Sequence, residues 1–206
     1  MPVYDRGYTH WEPSAGRVWP AWWVIAKRGI AEPLRKRWLL LLLLLGFVPA
    51  IVKGGIIYFK LKAGDVADLL GGDWVSIDAS GFLSFLEMQR FFVFAILAII
   101  GAGLIATDRR DNGLSLYFSR PLGLNSYVGG KAAIILFYYF MVTLFPALAL
   151  CLYSYWIAPD ANSVDLLLFT PLRLLVFCVA TGMSISLVLL GFSSLGTRSI
   201  FVVVWW

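Results

Sequence analysis

The chain has 206 residues, 60% of them hydrophobic, only 14% charged, with a net charge of +5 and a mean hydropathy of +0.81. A soluble domain is about 45–50% apolar and about 25% charged, so this composition excludes an ordinary water-soluble enzyme. The basic residues flank long apolar runs instead of forming one stripe, which argues against nucleic acid as a partner and for a lipid bilayer.

Residues 1–20 are polar and interrupted by Pro2, Pro13 and Pro20, the pattern of a surface tail. His10, the only histidine, lies there without a Cys or His partner. Residues 21–37 read as an amphipathic helix at the membrane interface. Trp22, Trp23, Ile25, Ile30 and Leu34 are expected to share one face, with Trp22 and Trp23 at the boundary. Arg35, Lys36 and Arg37, with Lys27 and Arg28, would reach lipid headgroups. Pro33 is expected to break or bend it.

Four complete spans are then expected, each near the roughly 20 residues that cross about 30 Å of hydrocarbon. The first is 38–59, with Pro49 as a bend and Lys53 snorkelling outward from its far end. Residues 60–90 read as an acidic loop with Asp65, Asp68, Asp73, Asp78 and Glu87. The second span is 91–107, followed by a basic loop over 108–131 carrying Arg109, Arg110, Arg120 and Lys131. The third is 132–157, and Asp160 and Asp165 follow it. The fourth is 172–192, with Arg173 as a headgroup anchor at one end and Arg198 beyond the other. The last eight residues, SIFVVVWW, rise only about 12 Å as helix and read as a fifth span cut short. The expected fold is an all-α polytopic transmembrane bundle in two parts, a tail with interfacial helix (1–37) and a membrane domain (38–206). Lys and Arg collect before the first span and in the 108–131 loop. The positive-inside rule therefore predicts a cytoplasmic N terminus.

No catalytic constellation is present. GxSxG and HExxH are absent, and Gly129-Gly130-Lys131 fails as a phosphate-binding loop because Asn125 and Ala132 stand where it needs Gly and Ser or Thr. Cys151 and Cys178 lie in apolar runs and read as small core residues, not as a disulfide or metal site. Gly101 and Gly103, like Gly182, Ser184 and Ser186, read as close-packing positions between helices. The spans read as free of intramembrane carboxylates, which argues against a cation site or a proton relay.

The segment 101–131 carries the most information. It leaves the membrane through the charged cluster Asp108–Asp111, turns at Asn112-Gly113, forms a short apolar-faced stretch, LSLYFS, and returns after Arg120-Pro121. The order Asp108-Arg109, Gly113-Leu114, Leu116, Ser119, Pro121, then Tyr127-Val128-Gly129-Gly130-Lys131 resembles the corresponding segment of type-two ABC exporter permeases. Tyr117-Phe118, Arg120 and Gly123-Leu124 depart from that pattern. The resemblance implies a six-span permease whose cytoplasmic loop docks on a separate ATPase subunit, with ATP and Mg on that subunit and no cofactor or enzymatic activity here. It also implies a second permease subunit as dimer partner and residence in a bacterial inner membrane. Carried onto this chain, the contact candidates are Asp108, Arg109, Arg110, Gly113, Ser119, Pro121 and Lys131. Gly113 would permit the turn, Pro121 would stop the short helix, and Asp108 and Arg109 would pair with charges on the partner. A membrane scaffold that recruits a cytoplasmic partner through the same loop is the rival reading, and a lipid-modifying enzyme is a third.

Overall fold

Apolar stretches of this length satisfy their backbone hydrogen bonds internally only as helices, and helices are what the chain forms. The structure, a computed structural model, describes residues 19–63, 79–113, 123–157 and 169–195, with no strand among them. In chain order the helices are α1 (Ala21–Leu34), α2 (Arg37–Leu45), α3 (Val48–Ala63), α4 (Ala79–Gly101), α5 (Gly103–Arg110), α6 (Leu124–Val142), α7 (Leu144–Ile157) and α8 (Thr170–Leu195). They assemble into four stretches long and apolar enough to cross a membrane: Arg37–Phe59, Gly81–Arg110, Leu124–Ile157 and Thr170–Leu195. The chain is an integral membrane protein built as a helical bundle. The tail before residue 19, the end of the chain from residue 196, His10, Ser119 and Pro121 lie outside the described residues.

Two expected boundaries move. Residues 79–90, read as loop, are the first turns of α4, and 124–131 are the first turns of α6. Polar residues misled the assignment in both places. In α4, Phe82, Phe85, Gln89, Val93 and Ile96 fall on one buried stripe, so helical periodicity continues straight through the charged Glu87 and Arg90. Glu87 therefore lies in the same long helical stretch as the second apolar run.

The first three spans are each broken once, and the breaks have local causes. The first breaks at Gly46-Phe47, ahead of Pro49, which sits in the opening turn of α3 where its missing N–H costs nothing. The second breaks at Ala102, where the Ser193 hydroxyl of α8 enters the helix ladder. It donates to the Ala102 carbonyl (3.0 Å) and accepts from the N–H groups of Ile105 (3.0 Å) and Ala106 (3.2 Å). The third breaks at Thr143. Pro146 has no N–H to give the Val142 carbonyl. Fully buried Gln89 supplies that bond instead, donating from Nε2 to Val142 O (2.5 Å) and Gly46 O (2.8 Å). One side chain thus ties two helix breaks together.

Lys53 does not snorkel outward. It is 4% exposed and donates to the Gly81 carbonyl at 2.9 Å, joining the end of the first span to the start of the second. The main core is shared by α2, α4, α6 and α8 around Leu39, Leu43, Ile96, Ile135, Tyr138 and Leu189. Gly101 lies against Leu189, and a Cβ at Gly182 would stand 2.8 Å from the Tyr139 ring, so these glycines allow close helix approach. Cys151 and Cys178 are buried and unbridged.

Candidate functional site

The end of the bundle from which residues 111–123 emerge is bound together by charge. Asp108 closes the second span and Lys131 lies two turns into the third. Lys131 Nζ stands 2.8 Å from Asp108 Oδ2, and the same oxygen accepts from Tyr127 Oη at 2.8 Å. Lys131 also donates to the Leu104 carbonyl at 2.8 Å, with its ammonium 5.6 Å from the centre of the Tyr127 ring. Both charged side chains are largely covered, 10% exposed for Lys131 and 19% for Asp108. An ion pair this enclosed holds its geometry because each charge depends on the other. Asp108 and Lys131 are therefore turned toward each other.

The adjacent basic residues reach other elements. Arg109 donates to the Ser194 carbonyl at 2.8 Å, fastening the second span to the last turns of the fourth. Arg110 pairs with Asp111 at 3.0 Å on the exposed surface. Beyond Arg110 the chain turns through Asn112, whose φ of 54° places it in the left-handed region. Gly113, expected to permit that turn, follows Asn112 directly. A Cβ there would lie 3.3 Å from the Asp108 carbonyl, so its smallness lets the chain fold back over the helix end. Asparagine tolerates the left-handed conformation better than most residues, which is why it can take the place expected of glycine.

Helix α1 covers one side of this end. It packs along α6 through Ala26, Gly29 and Ile30, and Tyr138 Oη donates to the Ile30 carbonyl at 2.7 Å. Gly130 is the close-approach point: a Cβ on it would stand 2.9 Å from the Trp22 carbonyl and 3.0 Å from Ile25. The expected single face divides in two. Ile25, Ile30 and Leu34 turn toward the bundle, while Trp22 (45% exposed) and Trp23 (40%) turn outward beside Lys27 and Arg28. The helix ends at Leu34, one residue after Pro33, and Arg35, Lys36 and Arg37 are exposed at the corner into α2.

The run Tyr127–Lys131 thus acquires a physical account. Tyr127 and Lys131 hold Asp108, and Gly130 receives α1. Sequence reasoning missed Gln89, Ser193 and Gly29. For Gln89 the available signal is Pro146, which leaves a carbonyl in the third span in need of a donor. No group of three or more metal-ligating side chains occurs among the described residues. No protein-family model, curated protein or solved structure matches the chain.

Proposed function

We propose that this chain is the membrane subunit of a transporter driven by a separate ATPase. The loop between the second and third spans would receive the ATPase's motion. The observation that carries this reading is the Asp108–Tyr127–Lys131 cluster with the Arg109–Ser194 bond at the base of that loop. Motion delivered at this end would reach the second, third and fourth spans together, because Asp108–Lys131 and Arg109–Ser194 join them there. The order of residues resembling type-two ABC exporter permeases supports the same reading. So does the concentration of Lys and Arg at this end, which by the positive-inside rule favours a cytoplasmic location for it; in this reading the membrane is a bacterial inner membrane. In this reading the chain acts as a dimer and holds neither nucleotide nor Mg.

The direct test places a cysteine at Asn112, the exposed turn, since both native cysteines are buried. Cross-linking in native membranes is expected to capture a protein that hydrolyses ATP. Lys131→Met is expected to leave that ATPase bound while abolishing the dependence of its rate on the membrane subunit. A captured partner with no ATPase activity would instead favour a recruiting scaffold.

A further inference from the structure

Glu87 and Arg90 lie one turn apart on α4 and are both exposed. Their depth follows from Gln89 between them, which bonds to Gly46. From Arg37 to Gly46 the first span rises about 14 Å at roughly 1.5 Å per residue. Thr181, which faces the same cleft, lies about 16 Å from Thr170 and about 21 Å from Leu195 by the same rise. Along α4 the two charges lie about 9 and 14 Å from Gly81 by the same rise, inside the bundle and nearer its Gly81 end than its Asp108 end. Charges at that depth facing lipid tails would be costly, so they belong to a site that solvates them.

The cleft they border has a volume of about 310 Å³ between α4, α6 and α8. Leu83, Val93, Phe177 and Ile185 form its apolar walls. Its polar groups are Glu87, Arg90, the Tyr139 and Thr181 hydroxyls, 2.7 Å apart, and Thr143. Thr143 is 4% exposed and borders the cleft beside Tyr139. A second cavity of about 280 Å³ shares Leu83, Leu86 and Phe177 with the first and continues to Thr170 and Arg173 at the end of α8. The two make one groove between α4 and α8. It runs from the charged pair on α4 to Arg173 at the end of α8, with apolar walls between.

We propose that this groove binds a phospholipid-like amphiphile with a zwitterionic head. Arg90 takes the phosphate, Glu87 takes the ammonium, Thr143 supplies a further hydroxyl, and the hydrocarbon chains lie against Leu83, Leu86 and Phe177. An apolar-walled cleft with a few convergent polar groups is the usual form of a small-molecule site. A purely apolar ligand would leave both charges unsolvated, and a water-soluble ion would leave the walls unfilled. As a cargo site the groove rests on the transporter reading, but binding itself does not.

The test uses the purified chain in nanodiscs, without ATPase or nucleotide, so failure of the coupling reading leaves it unaffected. The probe is a phosphatidylethanolamine carrying a photoactivatable diazirine in one acyl chain. Cross-links are expected within 82–93 of α4 and 170–185 of α8. Arg90→Gln is expected to lower the yield about tenfold, the loss of one charge-assisted hydrogen bond, and Arg90→Lys to restore most of it. Leu83→Trp keeps both charges but fills the groove and is expected to block labelling, with folding checked by thermal melting. Glycerophosphoethanolamine, the head without chains, is expected to compete poorly. Equal labelling by a diacylglycerol analogue, or labelling indifferent to Arg90→Gln and Leu83→Trp, would overturn the proposal. So would a change from dimer to monomer in Arg90→Gln with labelling unchanged, because the charges would then serve a second copy of the chain.

Discussion

At the scale of single residues, partly enclosed charges dominate. Lys131→Met strips Asp108 of its cation and leaves only the Tyr127 hydroxyl on that oxygen. Breaking a fully buried pair costs about 3–5 kcal/mol; with 10% and 19% residual exposure, about 1–3 kcal/mol is expected here. Thermal melting in detergent should show a fall of several degrees, and adding Asp108→Asn should recover part of it, since the stranded charge is then gone. Gln89→Leu keeps the volume but withdraws both donors from Gly46 and Val142, and should cost about 1–3 kcal/mol in the same measurement. Neither residue's role is visible in composition. Lys131 is legible as a basic residue at a membrane boundary, but the direction in which it reaches depends on where α6 begins. That beginning was hidden by the polar residues of its first two turns.

At the scale of elements, the neighbouring glycines Gly129 and Gly130 form an internal control. A Cβ at Gly129 meets nothing within 4 Å, whereas one at Gly130 meets α1. Gly129→Ala should be neutral or stabilising by up to about 1 kcal/mol, because alanine loses less backbone freedom in a helix. Gly130→Leu should lift α1 from α6 and raise the rate of tryptic cleavage after Lys27 and Arg28, a readout that Gly129→Leu should leave unchanged. The existence of the spans was legible because long apolar runs have one outcome in a bilayer. The breaks at Gly46-Phe47, Ala102 and Thr143 were not, apart from the hint of the prolines. Ser193 reaches Ala102 across 91 positions of sequence, and no local pattern encodes such a contact. The site was legible in part: the loop's basic rim can be read directly, whereas its anchoring in three spans is a property of the packed bundle.

At the scale of the whole molecule, the contacts define two ends. Arg109 meets Ser194 and Asp108 meets Lys131 at one; Lys53 meets Gly81 at the other. Cysteines at Lys36 and Asn112 should therefore react with a membrane-impermeant maleimide from the same side, and one at Trp156, which is 87% exposed, from the opposite side. Labelling of all three from one side would contradict the bundle. The seat of α1 also has a consequence for the order in which the protein is made. Ile30 leaves the ribosome 108 residues before Tyr138, whose hydroxyl holds it. At about 5–20 residues per second, the first helix waits roughly 5–20 s for the third span that receives it. During that interval the side of α1 bearing Ile25, Gly29 and Ile30 has only lipid or a chaperone to rest on. The basic residues around it keep the nascent helix at the headgroups until its permanent neighbour has been synthesised.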